Sequence, residues 1–363
     1  MPAALSAFSS ATPLPATASV TVLHDFAALR AAAPALLDDA GKDFFYSLDW
    51  FEILHTHGFS TDATLELWLS QMPGQPPLCL PLIDGPSLSG LSNFYSALFG
   101  PIGKAASSEH LHAIARQLRQ DARRWPSIRL QPLDQDEDFF LSFSRKLEAA
   151  AYWVDRFDCF GNWTLLLAGR PYAQYFETLP SRLQNTIRRA RRKLERSGEL
   201  QITIEQTVGP LLEQAIKDFE SIYAASWKTP EPFPRFISAW CRRAAERGWL
   251  RLGVLRLDGQ ALAAQIWLVK DGKASIFKLA YREGSQSYSP GSVLTAELMR
   301  QVIDEDGVAE VDFLCGDDPY KQDWMSHRRV RVGLIAFRLD HWRGLLGAGR
   351  HLLGKLRRRW REN

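Results

Sequence analysis

The spacing of apolar and polar residues predicts alternating strands and helices in the first half of the chain. Apolar side chains at every second position indicate strands, whereas apolar side chains three and four positions apart indicate helices. The predicted strands are 21–26, 64–70, 78–83, 127–131 and 152–167, and the predicted helices are 27–40, 45–58 and 108–124. Ser47 is of a residue type that caps helix starts. The loop 90–103 is rich in glycine, serine and aromatic residues, which suits the rim of a cleft as well as a plain surface connection.

The second half changes from hairpins to a crossover, and this order predicts a cleft. Its helices are predicted at 182–198, 208–226, 232–247 and 292–305, and its strands at 200–206, 250–257, 261–269, 274–281, 308–314 and 331–339. Asp258-Gly259 and Asp271-Gly272 are strong hairpin signals, so the three strands around them run antiparallel. The helix 292–305 joins two strands in a crossover, which requires those strands to be parallel. We expect these two central strands to splay apart and to open a cleft beside the start of that helix.

Length and composition indicate a globular protein with two domains. The chain has 363 residues, of which 46% are hydrophobic and 23% are charged. Its four cysteines are far apart and form no CxxC pair, so neither a zinc site nor a disulfide framework is indicated. The sequence shows no basic n-region of a secretory signal and no run of eighteen apolar residues, which predicts a cytoplasmic location. The predicted parts are a flexible tail at 1–20, domains at 21–167 and 168–343, and a basic amphipathic tail at 344–363.

Charge is distributed unevenly along the chain. Residues 1–160 carry 11 basic and 18 acidic side chains, whereas the remainder carries 33 basic and 23 acidic ones. Seven of the basic residues lie in 182–196, where they would repel one another unless an anionic partner binds. A phosphorylated substrate, a carrier protein or RNA would suit this helix, and a solvated helix face is the alternative.

The main candidate chemistry lies in the stretch DFLCGDDPYKQDW, which begins inside the predicted strand 308–314. A lysine, a tyrosine and several acids at the end of a strand are groups that acyl transfer can use. Lys321 could stabilise the oxyanion of a tetrahedral intermediate, and Tyr320 could donate or relay a proton. Asp312 or Asp317 could orient an attacking amine. A capped turn with a solvated lysine is the alternative for this segment taken alone.

The start of the helix 292–305 is a candidate binding site for the donor of the acyl group. Free backbone N–H groups and the helix dipole at such a start attract anions. Ser289, Gly291 and Ser292 lie in this turn, and a glycine allows a phosphate or a phosphopantetheine arm to approach the backbone closely. Plain helix capping is the alternative reading of the same residues.

Several motifs occur in an order that resembles a known family. The basic helix with IRRARRK is followed by YxxSW at 223–227, a DGxxLAAQ hairpin, YSPGSxL and DFxxGxxxYKxxW. This order, over about 182–326, resembles the GNAT-like acyltransferases of the Fem-type and CelD-like group. The resemblance implies an α/β fold with two tandem GNAT-like domains, each a mixed, mostly antiparallel sheet flanked by helices. It also implies the transfer of an acyl or aminoacyl group to an amine.

The resemblance also suggests roles for individual residues. Lys321 matches the lysine that Fem-type enzymes place against the reacting acyl group. Arg188 lies in the arginine-rich helix typical of the group, and with Tyr223 and Trp227 of the YxxSW motif it is predicted to bind substrate. Packing in a core is the ordinary alternative for the two aromatic residues.

The nature of the donor stays open at the level of the sequence. The GNAT pyrophosphate loop [QR]xxGx[GA] is absent from 282–292, so an acyl carrier protein is an alternative to acyl-coenzyme A. Aminoacyl-tRNA is a further alternative. Relatives that use tRNA often carry a long heptad stretch, and its absence from this sequence makes this donor less favoured. No metal is expected.

The predicted function is N-acyl transfer to an amino sugar or another amine of a polysaccharide or cell-envelope precursor. A Fem-type aminoacyl-tRNA-dependent transferase and a non-catalytic binding module are the alternatives. The tail 344–363 combines leucines and Trp360 with arginines. It could therefore rest on the anionic surface of the inner membrane or on a carrier protein. A solvated terminus is the alternative for this segment.

Overall fold

The computed structural model describes residues 18–38, 43–103 and 108–362, which form one continuous mixed sheet flanked by helices. The strands are β1 Ser19–Leu23, β2 Thr64–Gln71, β3 Leu78–Asp84, β4 Leu88–Gly90, β5 Ser127–Asp134, β6 Trp153–Leu166, β7 Leu200–Glu205, β8 Leu250–Leu257, β9 Gln260–Lys270, β10 Lys273–Tyr281, β11 Glu310–Asp312 and β12 His327–Phe337. The helices are α1 Phe26–Ala32, α2 Leu48–Gly58, α3 Ser108–Gln120, α4 Asp138–Ala149, α5 Tyr172–Thr178, α6 Ser181–Ser197, α7 Pro210–Ala224, α8 Pro234–Glu246, α9 Pro290–Arg300 and α10 Trp342–Glu362. None of these described helices is both long enough and apolar enough to cross a membrane.

The two halves of the sheet repeat the same order of strands. In the first half β1 to β4 pair antiparallel in sequence, and β4 then pairs with β5 in parallel. In the second half β7 to β10 pair antiparallel, and β10 pairs with β11 in parallel. Each half is therefore the mixed, mostly antiparallel sheet that the sequence predicts, and the central parallel step of the second half is confirmed.

The last strand of each half pairs with the other half. β12 lies against β5, and the end of β6 lies against β11. β6 and β12 also pair with each other along the full length of β12, so the sheet runs without a break from β1 to β7. We call this arrangement the strand exchange. The domain boundary between 167 and 168 stays a prediction, because strands from both sides of it share one sheet.

Most of the predicted elements lie where the sequence places them. α2 begins after Ser47, whose Oγ accepts a hydrogen bond from the Trp50 amide, as predicted. The helix expected at 27–40 is shorter, because α1 ends at Ala32. Pro34 disfavours the helical conformation of the residue that precedes it. The residue pattern did not predict β4, α4 or α5, and it predicted that the last strand begins at 331 instead of His327. Residues 1–17 of the predicted flexible tail lie outside the described residues.

An aromatic cluster joins the two halves next to β10. The Trp50 ring on α2 lies 5.1 Å from the Trp240 ring on α8 and 6.0 Å from the Phe277 ring on β10, measured between centroids. Nearby, Tyr95 of the first half stacks on Phe236 of α8 with 4.0 Å between centroids. Because large aromatic rings bury much apolar area, this packing holds the loop 90–103 against the second half.

Candidate active site

The cleft opens where β10 and β11 diverge. The two strands pair only over Lys273–Ser275 and Glu310–Asp312, and an extra residue at Phe277 shifts the register of β10 immediately afterwards. Beyond this point lies a cavity of about 820 Å³, which is in the size range of small-molecule sites. Residues at the start of α9 line one wall. The cleft is therefore at the position that the sequence predicts.

Residues of the first half complete the wall of the cleft. Phe94, Tyr95 and Ala97 of the loop 90–103 line the cavity together with residues of α6, α9, β10 and the end of β11. On the same side the Cys315 thiol lies 4.0 Å from the Ser96 carbonyl oxygen. The loop that the sequence offers as a cleft rim is thus part of the site, and both halves contribute to one cavity.

The half-buried Glu231 binds three donors beside the cleft. Glu231 accepts hydrogen bonds from the Tyr95 hydroxyl, at 2.6 Å, and from the Tyr223 hydroxyl, and it forms an ion pair with Lys278. Although burial alone would raise the pKa of Glu231, these hydrogen bonds and the charge of Lys278 lower it. Glu231 is therefore an anion that fixes the Lys278 ammonium at the wall of the cleft.

Lys228 lines the same cavity, and within the described part of the chain its ammonium group forms no ion pair with a carboxylate. Its Nζ donates to the Leu279 carbonyl oxygen at 2.5 Å. Burial lowers the pKa of Lys228 to about 8, and the neighbouring charge of Lys278 adds to this effect. A fraction of Lys228 is thus neutral near neutral pH, which is the protonation state of a general base.

Lys321 lies on the cleft wall, and its ammonium group binds the turn that follows β11. The side chain is only 4% exposed, and its Nζ donates to the carbonyl oxygens of Cys315 and Gly316, the latter at 3.3 Å. Asp318 completes the set with a carboxylate oxygen at 3.3 Å. Lys321 thus lines the cleft and also stabilises the conformation of the loop, while its contact with the reacting acyl group stays a prediction.

Tyr320 also lines the cleft, with its ring edge-on to Phe313 at 5.8 Å between centroids. Its residue surface is 44% exposed, yet burial around the phenol, followed by the charge of Asp318, raises its pKa to about 12. With its pKa raised in this way, the phenol is neutral at neutral pH. Tyr320 can therefore donate a proton.

The structure corrects the role predicted for Asp312. Its carboxylate, on the last residue of β11, is fully buried and accepts hydrogen bonds from Asn162, at 2.5 Å, and from the Leu314 amide, at 2.7 Å. Lys273 and Arg329 form ion pairs with it at 2.9 and 2.7 Å. Burial would raise the pKa of Asp312, but these cations hold it well below the usual range. Asp312 has no acceptor position left for a substrate amine.

The bonds of Asp312 show what it does instead. Leu314 has a φ of 53°, a left-handed conformation that is unfavourable for a leucine. Its amide is bound by Asp312 and its carbonyl oxygen accepts from Asn162 at 2.8 Å. The two side chains therefore hold the strained residue where β11 ends and the cleft begins. Asp312 shapes the cleft wall from behind.

Asp317 is likewise outside the cleft. Its carboxylate accepts a hydrogen bond from the Trp163 indole at 2.9 Å and forms an ion pair with Arg328, on β6 and β12 respectively. These partners lie on strands that do not line the cavity. The prediction that Asp317 positions the acceptor is therefore wrong in its geometry, because the sequence does not reveal to which side the turn directs this residue.

Two of the three residues predicted to hold the donor line the cavity. Gly291 and Ser292 form part of its wall at the start of α9, whereas Ser289 lies outside it, in a left-handed conformation with φ 44°. The space beside Gly291 is open, since a Cβ there would meet only the Tyr281 ring at 3.5 Å. Its carbonyl oxygen accepts a hydrogen bond from the Gln265 side chain at 3.0 Å, which fixes the first turn of the helix.

The residues predicted to bind substrate occupy three different places. Trp227 stands at the cavity wall, 54% exposed, with its ring 4.4 Å from that of Tyr281. Tyr223 is not among the residues that line the cavity, but its hydroxyl binds Glu231 and its ring lies 5.7 Å from the Lys228 ammonium and 5.3 Å from the Lys278 ammonium. Arg188 is not in the cleft at all. It packs on Phe176 and lines a separate groove of about 580 Å³ between α6 and α9, and its role in substrate binding stays a prediction.

Sequence reasoning did not identify Lys228 and Lys278 in the cleft or Glu231 beside it. Lys228 directly follows the YxxSW motif, and Glu231 lies in the proline-containing loop between α7 and α8. Charged residues in a loop beside a recognised motif were the available signal. Among the described residues, no group of three or more His, Cys, Asp or Glu side chains is arranged to hold a metal ion.

Comparisons with known proteins agree with this architecture. Residues 181–322 match the family model described as an acetyltransferase (GNAT) domain. No curated protein matches the chain. The crystal structure of FemX superposes with a TM-score of 0.54 at 12% identity, covering 87% of this chain and 96% of that one.

Two further solved structures share the fold at similar distances. The structure of L-PGS from Bacillus licheniformis gives a TM-score of 0.51 at 13% identity, with 89% of this chain and 95% of that one covered. A conserved protein of unknown function from Bacteroides thetaiotaomicron gives 0.55 at 10% identity, with 88% and 99% covered. The similarity thus spans both halves.

Proposed function

From the premise that residues 181–322 carry a GNAT-type acetyltransferase domain, within a fold shared with FemX, we propose that the protein transfers an acyl group from a thioester to an amine. The observation that carries the proposal is the cavity between the diverging strands β10 and β11, with Lys228, Tyr320 and Lys321 on its wall. A base, a proton donor and a cation around one cavity are the groups that acyl transfer requires.

The donor would enter along the gap between β10 and β11. Beyond Ser275 and Asp312 the two strands no longer pair, so their facing backbone groups can bind a linear amide-containing arm as an added strand would. Gly291 leaves room for the arm at the start of α9, where backbone N–H groups favour a phosphate. Acyl-coenzyme A and an acyl carrier protein both present such an arm.

Lys228 would act as the general base. The acceptor amine arrives as an ammonium ion, and neutral Lys228 takes one of its protons. The freed nitrogen then attacks the thioester carbon, so that a C–N bond forms and the carbonyl oxygen becomes an oxyanion. Lysine side chains tuned towards neutral pH by burial are suited to this role.

Lys321 and Tyr320 would serve the second part of the reaction. The positive charge of Lys321 favours the oxyanion, and the exposed Asp318 is the partner that the substrate can replace. When the C–S bond breaks, the thiolate takes a proton from Tyr320, which recovers one from the amide nitrogen. The acceptor is proposed to be an amino sugar or another amine of a cell-envelope or polysaccharide precursor, since the exposed Trp227 offers a ring face for a sugar.

The proposal is tested by following thioester cleavage. Acetyl-coenzyme A, longer acyl-coenzyme A species and acyl carrier proteins are supplied with a panel of amines, and the free thiol is measured. Lys228→Met should lower kcat by about 10²–10⁴-fold, as loss of a general base does. Lys217→Met, at an exposed lysine of α7, is the matched control and should keep full activity. Turnover by Lys228→Met at the wild-type rate would refute the assigned base.

A tRNA-linked donor is the second candidate, and one observation favours it. The basic residues of α6 are exposed, and Arg182 at the start of the helix lines the cleft. A nucleic acid bound there would release counterions, so its affinity should fall steeply with salt. Aminoacyl-tRNA that binds with a steep salt slope and loses its aminoacyl group in the presence of the amine would favour this donor. Absence of turnover with every donor, together with intact ligand binding, would favour a binding module.

A further inference from the structure

The helix α10 has an unusual distribution of small and large residues. Gly344, Gly347 and Ala348 face the body of the protein, and a Cβ at Gly347 would lie 2.8 Å from the Phe337 ring. At Gly344 it would lie 2.0 Å from the Arg338 carbonyl oxygen. The small residues therefore allow the helix to lie directly on the end of β12. A helix that was built only to cover the sheet would instead direct its leucines inward.

The large apolar residues of α10 face outward. Seven of them are between 47% and 85% exposed: Trp342, Leu345, Leu346, Leu352, Leu353, Leu356 and Trp360. At 100° per residue they fall on one stripe, which lies opposite the glycine side of the helix. We call this stripe the outer apolar face. An exposed continuous apolar patch of this kind marks an interaction surface.

The helix is fixed to the protein with the outer apolar face pointing away. Lys355 forms ion pairs with both carboxylate oxygens of Asp155 on β6, at 2.8 and 2.7 Å, and His351 lies 2.8 Å from the same carboxylate. The ring of His351 also packs near Trp153 and Phe337. These contacts set the rotation of the helix about its own axis, so the outer apolar face cannot turn inward without breaking them.

The positive charge of α10 indicates which kind of partner the outer apolar face binds. Residues 342–362 contain seven lysines and arginines and one acid. Arg343, Arg350 and Arg357 recur every seven residues and therefore follow one edge of the outer apolar face. A second copy of the chain would bring two such cationic edges together, which is unfavourable. Anionic lipid headgroups are complementary to them, and an apolar stripe flanked by arginine with tryptophan at both ends is typical of helices that lie in the membrane interface.

We propose that the outer apolar face of α10 inserts into the interface of an anionic lipid bilayer and holds the protein at the membrane surface. The helix begins near Phe337, at one end of β12. The other end of β12, His327, closely follows Tyr320, Lys321 and Trp324, which line the cleft. An eleven-residue strand is about 30 Å long, so the cleft is held away from the helix by roughly that distance along the strand. The inference is independent of the acyl-transfer reaction.

Vesicle sedimentation of the full chain tests the proposal. Vesicles of phosphatidylcholine alone are compared with vesicles that also contain phosphatidylglycerol, for the wild type and for Leu353→Glu. Leu211→Glu, at a leucine of α7 that is 71% exposed, is the matched control. We expect the wild type and Leu211→Glu to bind the anionic vesicles about tenfold or more tightly than the neutral ones, and Leu353→Glu to lose this binding.

The same samples provide the outcomes that would overturn the proposal. Wild-type protein that fails to sediment with anionic vesicles, or Leu353→Glu that still does, would refute it. A wild-type dimer without lipid that Leu353→Glu converts into a monomer would assign the outer apolar face to contact between copies instead. Leu353 is exposed, so its replacement should leave thermal unfolding unchanged, and thioester cleavage with a soluble donor should stay at the wild-type rate.

Discussion

Replacing Lys228 by methionine should stabilise the protein while it removes the proposed base. The ordinary lysine pKa is 10.5, and burial together with Lys278 lowers that of Lys228 to about 8. This difference corresponds to about 3 kcal/mol by which the folded state disfavours the ammonium form at neutral pH. Methionine has a similar length and no charge. It also leaves the Leu279 carbonyl oxygen without its lysine partner, which costs about 1 kcal/mol. We therefore expect a net gain of about 2 kcal/mol at pH 7.

The pH dependence gives this prediction its sign. The folded pKa of Lys228 lies below the unfolded one, so the unfolded chain binds more protons between about pH 8 and pH 10.5. The free energy of unfolding of the wild type should then rise with pH across this window. The variant lacks the group. Its advantage should be full below pH 8, should shrink above it and should be lost by about pH 10.

Urea unfolding of both proteins at a series of pH values measures the difference. Lys217→Met serves as the control, because its exposed lysine should change stability by less than about 0.5 kcal/mol. A Lys228→Met variant that is less stable than the wild type at pH 7 would refute the reasoning. So would a stability difference that stays constant from pH 7 to pH 10, because the buried ammonium would then not be its cause.

Three further predictions concern the cleft and the ion pairs that support it. Lys278→Met leaves the half-buried Glu231 without its cation, although the two tyrosine hydroxyls stay, so it should destabilise the protein by about 3 kcal/mol in urea unfolding, opposite in sign to Lys228→Met. The rate of the wild-type reaction should rise with pH through about 8, as Lys228 loses its proton, and a profile that is flat between pH 7 and pH 9 would count against that base. Asp312→Asn removes the anion shared by Lys273 and Arg329 and should lower stability by about 3–5 kcal/mol, whereas an unchanged melting temperature would show that the buried network is dispensable.

The sequence predicted the cleft better than it predicted the residues in it. Two Asp-Gly turns and one crossover helix are local signals, and together they require the parallel step between β10 and β11. The role of Asp312 depends on Lys273 and Arg329, which are distant along the chain and carry no local pattern. Lys228 was overlooked for a similar reason, since its pKa depends on burial in the folded chain and on Lys278, fifty positions further along the sequence. Periodicity reports which face of an element is buried and does not report which charges meet there.

The strand exchange also sets the order in which the chain can be completed during synthesis. β5 ends at Asp134, but its neighbour β12 is finished only at Phe337, so a ribosome must add roughly 200 residues, about 10–40 s of elongation, before that edge is covered. Until then β5 and the start of β6 both offer unpaired backbone groups to any other strand. The nascent first half should therefore depend on chaperones or fast elongation, and a chain that stops before residue 327 should aggregate. The sheet therefore becomes continuous only when β12 is added between β5 and β6, however early the strands on either side are made.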